Sequence, residues 1–351
     1  TSPTGRILDA AFLDELAAYG PIGKTLGMVI RRAFVAPKGR TFVWGDWSAI
    51  EARVLPWLAN SPGAEKVLDI FRTNDLDPSL PDIYKITAGE LLHKDPREVT
   101  KNERQSHGKV PVLSLGFGGG VGALQKMAVN YGVYFDEDAS KALVTSWRDR
   151  NPWAREFWGQ FRTDPSGEVT HASGLWGACL MAIRNPGTIH EAGRVAYAYD
   201  PDYMGGTLFC ALPCGRLLTY PDCRVRTRKV KDKTTGEESE VTALWYRKGF
   251  GWSALWYGKL AENVTQAVAG SIMRETLVYL DQNPEWAELL PVVGHTHDEI
   301  VTETDETDEA IERARRVLGE AMLRRSAWRE TLPLAVEIED CYFYTKAVPS
   351  T

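Results

Sequence analysis

Thr41-Phe42-Val43-Trp44-Gly45-Asp46-Trp47-Ser48-Ala49-Ile50-Glu51-Ala52-Arg53 is the stretch on which the fold of this chain turns. Its first half is short, β-favouring and apolar, and it ends on a carboxylate. From there Ile50, Val54, Leu55 and Leu58 recur at helical spacing. A mostly buried strand therefore hands over to a helix between Trp47 and Ala49. Asp46 is left at the strand end and Glu51 in the first helical turn. Taken alone, Asp-x-Ser-x-x-Glu is also what a helix N-terminus uses to cap itself.

Working outward, Pro291–His295 and Glu299–Glu303 read as two strands around a tight Thr296-His297-Asp298 turn, and Pro333–Glu339 as a final strand. Strand patterns also fill Leu208–Tyr246, with Lys231–Glu238 as an exposed hairpin tip. Helical spacing covers 7–19, 63–72, 82–93, 97–110, 136–163, 259–283 and 305–325, and the glycines of Gly116–Gly120 break a helix. The expected class is α+β, with a central antiparallel sheet collecting strands from three distant regions, two of which end at an aspartate.

The 351 residues are enough for two or three lobes, and 44% hydrophobic content excludes a disordered chain. No apolar stretch approaches a membrane span, and Thr1–Arg6 lacks a secretory core. Five cysteines with no Cys-x-x-Cys argue against a disulfide framework or zinc ribbon and for a reducing cytoplasm. The net charge of −6 argues mildly against a nucleic-acid binder. Local positive charge is what phosphates require, however, and Arg31, Arg32, Lys101–Lys109 and Arg224–Lys233 supply it. Arg313, Arg315, Arg316, Arg324 and Arg325 read as a solvated helix face.

Three segments carry chemistry. In the first, Asp46 and Glu51 flank the strand–helix junction. The second is His295-Thr296-His297-Asp298-Glu299. Adjacent carboxylates at a hairpin tip can be a solvated turn, but apolar strands flank this one, and two like charges there call for a cation. Hard divalent ions favour carboxylate oxygens, so Asp46 with Asp298 suits Mg²⁺, whereas His295-x-His297 without further ligands is weak for zinc. The third runs from Lys101 to Gly118, with Arg104 and Lys109 near one helix face and Leu113 and Phe117 following. That pattern is also that of an amphipathic surface helix. Gly116–Gly120 lacks the Gly-Lys-Ser/Thr ending of a phosphate loop.

In order and combination these segments resemble the motifs of the family A DNA polymerases, especially the phage and prophage branch. Asp46-Trp-Ser-Ala-Ile-Glu51-Ala-Arg53 is similar to Asp-Tyr-Ser-Gln-Ile-Glu-Leu-Arg. Arg104 to Gly118 resembles the helix Arg-x3-Lys-x3-(Phe/Tyr)-Gly-x2-Tyr-Gly, and His297-Asp298-Glu299 matches His-Asp-Glu. Leu212-Pro-Cys-Gly-Arg216-Leu resembles Leu-Pro-Ser-Gly-Arg, and Tyr257-Gly-Lys259-Leu-Ala-Glu-Asn263-Val-Thr-Gln266 resembles the phage Gly-Gly-Lys-Leu-x-Glu-Asn-x-x-Gln helix. The likeness runs from about Met28 to Lys346.

The resemblance implies a template-directed DNA polymerase that adds deoxynucleotides to a primer 3′ end on primer–template DNA. It implies a palm in residues 1–60 and 206–351 and helical fingers in 61–205. Asp46 and Asp298, with the Trp47 carbonyl, are then expected to hold two Mg²⁺ ions, with Mn²⁺ as a substitute. Glu299 supports them, and Lys109 holds the dNTP phosphates. Glu51, Tyr84, Arg104, Gln105, Leu113 and Phe117 complete nucleotide binding. Arg53, Arg216, Lys259, Asn263, Gln266 and His297 are expected to touch DNA. Thumb and 3′–5′ exonuclease are not represented, since only about forty residues precede Asp46. The chain is therefore expected to be a C-terminal fragment or half of a split enzyme, without proofreading, acting in a bacterial host cytoplasm with no membrane role. A separate chain or a preceding part carrying those domains is the expected partner.

The chain also departs from the motif. Arg104 stands five residues before Lys109 rather than four, with Gln105 at the usual place, so either Arg104 is rotated or Lys101 shares its task. Pro111 is expected to kink the helix. Phe117 replaces a tyrosine, which removes a hydroxyl bond to Glu51. Tyr84 stands where cellular members carry histidine. A non-catalytic DNA-binding subunit and a single-subunit RNA polymerase are the alternatives; the intact Asp46, Asp298 and Lys109 weigh against the first, and Glu51 against the second.

Overall fold

The computed structural model describes residues 30–31, 33–163, 169–231 and 238–345. The expected helix at 7–19 and the expected hairpin tip fall wholly or mostly outside them. Contacts divide the chain into two compact units: Thr1–Ser48 with Met273–Arg324 and Val336–Thr351, and Ala49–Ile272 with Arg325–Ala335.

The first unit is built on four antiparallel strands: β1 (Arg40–Trp47), β11 (Val292–Thr296), β12 (Glu299–Asp305) and β13 (Val336–Cys341), in the order β11-β12-β1-β13. β1 is central and buried almost throughout, which is why its sequence reads as an apolar run rather than an alternation. One face packs Phe42, Trp44 and Val301 against Tyr344. Helix α11 (Asp308–Leu323) packs on the sheet, with Ala314, Val317, Leu318, Ala321 and Met322 buried. Gly45 allows that approach: a Cβ there would lie 2.8 Å from Ile338 Cδ1 and closer still to Met322 Sδ.

The second unit begins with α1 (Ile50–Ala59), α2 (Pro62–Leu76) and α3 (Ile83–Leu92). Next comes an irregular helix, α4, made of Lys101–Glu103, a π-helical stretch Arg104–Lys109, and Val110–Leu115. α5 (Val121–Asn130), α6 (Glu137–Arg150) and α7 (Pro152–Trp158) follow, with the expected break between α4 and α5. The strands β2 (Gln160–Thr163) and β3 (Val169–Ser173) form a hairpin before α8 (Gly174–Arg184). β4 (His190–Ala192), β5 (Val195–Asp200), β6 (Thr207–Ala211) and β7 (Leu217–Tyr220) make a second antiparallel sheet. β8 (Arg224–Lys231), β9 (Glu238–Lys248) and β10 (Gly251–Leu255) make a third. The 25-residue α9 (Tyr257–Asp281) lies in the second unit through Ile272 and in the first from Met273; α10 (Pro284–Leu289) follows it.

Two expectations are corrected here. Residues 207–248 do not join the central sheet but form separate sheets, because β4–β7 and β8–β10 pair locally in sequence and satisfy their own ladders. The 136–163 stretch is not helical throughout: Gly159, at φ 77°, ends α7 and starts the β2 strand.

Candidate functional site

In the first unit, β1 delivers Asp46 opposite Glu299 in the antiparallel register, and Asp298 stands one residue earlier in the β11–β12 turn. The Trp47 N–H donates to the Asp298 carbonyl at 3.0 Å, tying the strand end to the turn. His297 supplies the left-handed residue of that turn at φ 51° and is exposed. Asp46 and Asp298 are both half-buried at neighbouring strand ends. Trp47 itself is an anchor: its indole N–H donates to the Met322 carbonyl at 3.1 Å.

Glu299 is fully buried, and its carboxylate is engaged. The Tyr344 hydroxyl donates to it, and Arg31 lies 3.5 Å away and also donates to the Tyr344 oxygen at 3.0 Å. Burial, then the bond to Glu299, raises the Tyr344 phenol well above its usual range, so it stays a donor at neutral pH. Neither Tyr344 nor the specific role of Arg31 was read from the sequence, although the aromatic run Cys341-Tyr342-Phe343-Tyr344 after the last strand was a visible signal.

No group of three or more His, Cys, Asp and Glu side chains suited to a metal occurs among the described residues. The two carboxylates at the strand ends nevertheless fit a hard divalent ion that keeps much of its water, and among the described residues no nitrogen or sulfur set for zinc accompanies them.

In the second unit, α4 opens with a capping box in which Thr100 accepts from the Glu103 N–H and Glu103 reaches back to the Thr100 N–H. The Lys94 ammonium, then Thr100, hold the Glu103 carboxyl at about 2. In the π stretch the Val110 N–H bonds Gln105, an i→i+5 link. The wider turn brings Arg104 and Lys109, at the two ends of the stretch, nearer to one helix face than α-helical spacing would. Pro111 lies inside α4, just after the π stretch, so the widened turn stands ahead of the residue that lacks a donor.

The Arg104 guanidinium binds Asp82 Oδ2 at 2.8 and 2.5 Å and lies 4.9 Å from the Tyr84 ring centre. Asp82 also caps α3 through the Lys85 N–H, a partner the sequence reading passed over in favour of Tyr84. Tyr84 is buried, and desolvation pushes its phenol up to about 12. The Lys109 ammonium sits 5.7 Å from the centre of the Tyr131 ring, another residue not foreseen. Gln105 is half-buried on the same turn. Glu51, Leu113 and Phe117 line one cleft of about 40 Å³. Glu51 accepts a hydrogen bond from the Gln266 amide.

On α9, Lys259, Asn263 and Gln266 recur at i, i+4 and i+7 and so share a stripe. Asn263 donates to the Tyr220 hydroxyl at 3.2 Å, and Arg216 donates to Ser271 Oγ at 2.8 Å. Arg53 is a correction: expected to touch DNA, it is 3% exposed, with both terminal nitrogens on Asp75 at 2.6 and 2.7 Å and Phe71 beneath it. A guanidinium so engaged braces α1 against α2 rather than facing a ligand.

No helix among the described residues is long and apolar enough to cross a membrane. Residues 18–165 match the family model of DNA polymerase family A. The chain is 29% identical over 323 residues to a DNA polymerase of Bacillus phage SP02, covering 91% of this chain and 43% of that protein. It is 37% identical over 86 residues to DNA polymerase I of Pseudomonas aeruginosa, covering 24% of this chain and 8% of that one. Over 138 residues it is 30% identical to DNA polymerase I of Chloroflexus aurantiacus, covering 39% and 13%. The chain thus spans less than half the length of these relatives. The solved POL domain of Pol1 from M. smegmatis, in complex with DNA primer-template and dNTP, shares its fold, with TM-score 0.54 and 18% identity over 93% of this chain and 44% of that one. By a family model over residues 18–165 and a phage relative aligned along nearly its whole length, the chain is similar to the family A DNA polymerases.

Proposed function

We propose that the chain extends a primer 3′ end with deoxynucleotides directed by a DNA template. The observation that carries this reading is the meeting of Asp46 and Asp298, 252 positions apart in sequence, at the ends of adjacent strands, tied by the Trp47–Asp298 backbone bond. Asp46 and Asp298 would hold divalent ions, which when bound supply charge neutralisation at the triphosphate and acidification of the primer hydroxyl. Glu299, fixed by Tyr344 and Arg31, keeps the β12 strand end rigid beneath them. Lys109 and Arg104, at the two ends of the π stretch, form the cationic edge that takes the triphosphate. Leu113 and Phe117 present an apolar wall to base and sugar. Glu51 fills the space a ribose 2′-hydroxyl would need. The unit with Asp46 and Asp298 then serves as palm, and the helices between 61 and 205 serve as fingers.

Primer extension in Mg²⁺ tests the proposal. Wild type is expected to extend with dNTPs and to use rNTPs far less. Asp298→Ala and Asp46→Asn are expected to lose extension while retaining primer–template affinity. A mismatched primer terminus is expected to remain untrimmed. Undiminished extension by Asp46→Asn would remove the assignment, and equal use of both sugars would point to the RNA polymerase alternative.

A further inference from the structure

None of the residues proposed above to hold metal, nucleotide or DNA lies on the sheet β8–β10, and its two faces differ sharply. One carries Leu244, Tyr246 and Leu255, all buried. The other follows from the register: Arg224 pairs with Trp245, and Trp252 pairs with Arg247. Arg224, Arg226, Arg247 and Trp252 therefore project from the same side. Three guanidiniums surround the Trp252 ring, Arg226 at 4.1 Å, Arg247 at 5.5 Å and Arg224 at 5.6 Å from its centre. All three arginines are exposed. Asp222 binds Arg224 at 2.6 Å, and among the described residues no ion pair engages Arg226 or Arg247.

Like charges this close repel one another. The indole offsets part of that through its electron-rich faces. Packing around one ring also gathers the three guanidiniums on a single open face. A cluster of donors on an open face suits the phosphate oxygens of a polyanion rather than a base edge. The local excess of positive charge, on a chain whose net charge is −6, is what phosphate binding requires.

We propose that the Arg224, Arg226, Arg247 and Trp252 face grips the sugar–phosphate backbone of DNA, holding the substrate independently of its sequence and of nucleotide selection. This rests on the polymerase reading above. The test uses the full chain and fluorescence anisotropy across a salt series, with a blunt duplex and a long-overhang primer–template in parallel. For Arg226→Gln/Arg247→Gln we expect affinity to fall roughly tenfold. The slope of log affinity against log salt should flatten by about 2, from the rule of roughly 0.9 per neutralised phosphate. Extension rate at saturating primer–template should be unchanged. Loss on both DNAs assigns the face to duplex, and loss on the overhang substrate alone assigns it to single-stranded template. Arg226→Lys/Arg247→Lys, which keeps charge and disturbs folding least, should keep the slope while losing part of the affinity. Wild-type affinity and slope in a folded Gln variant on both DNAs would overturn the proposal and leave the polymerase reading intact. Failure of the wild type to bind either DNA would overturn both.

Discussion

Phe117 brings no hydroxyl to Glu51, yet the Glu51 carboxylate accepts from the Gln266 amide. The sequence placed Glu51 and Phe117 as neighbours through their motifs. It could not pair Glu51 with Gln266, which lies 215 positions away, because a long-range contact between two polar side chains leaves no periodic trace. Arg53 illustrates the same limit from the other direction: a motif arginine looks DNA-facing until Asp75 and Phe71 are known to enclose it. Since Gln266 holds Glu51 in place, Gln266→Leu should loosen sugar discrimination. A hydrogen bond to a charged group at this exposed position contributes about 1 kcal/mol, or roughly fivefold in the dNTP/rNTP ratio of kcat/KM. Effects on primer–template binding cancel in that ratio, because both nucleotides use the same DNA. Phe117→Tyr added to Gln266→Leu should restore the ratio. A ratio unmoved in Gln266→Leu would mean that the contact does not position the carboxylate.

Helix α4 was legible as a helix with one face basic, then apolar, but its internal geometry was not. The extra residue between Arg104 and Lys109 read as a misfit with the family spacing. The π stretch absorbs it by widening the turn from i→i+4 to i→i+5 bonding, which a scan for 3.6-residue periodicity cannot detect. Gly108, inside that stretch, shows why the widened turn fits: a Cβ there would lie 2.1 Å from the Tyr84 carbonyl oxygen, so α3 and α4 touch backbone to backbone. The obstacle is main chain rather than a flexible side-chain tip, so the helices must separate to admit a methyl group. Gly108→Ala should therefore destabilise the protein by about 2–3 kcal/mol, at the upper end for overpacking, visible as a lower denaturation midpoint in urea. Lys109, the next residue, would move with the helix, and KM for dNTPs should rise. An unchanged midpoint would show that α3 and α4 can part at little cost.

For the molecule as a whole, the net charge of −6 pointed away from nucleic acid, and topology was legible only in part. The central sheet was legible because β1, β11, β12 and β13 carry strong apolar patterns and two of them meet at acidic ends. Strands such as β4, β5 and β10 are short or polar enough to escape pattern reading, and they gather into sheets the sequence had assigned to one. The cysteine reading is testable at the same scale. All five thiols are free: Cys179, Cys210 and Cys223 are buried, and Cys214 and Cys341 are half-buried. Burial pushes the Cys210 and Cys223 thiols up to about 12 and Cys179 well above its usual range, so the reactive thiolate is scarce at all three. An aromatic disulfide reagent at neutral pH should therefore label Cys214 and Cys341 promptly in the native protein. The other three should react only as fast as the second unit opens, and all five should react at once in denaturant. Because Cys179, Cys210 and Cys223 come from α8, β6 and the turn before β8, their labelling rate reports the cooperative opening of those elements. Prompt modification of more than two thiols without denaturant would mean that this part of the core opens far more readily than its packing requires.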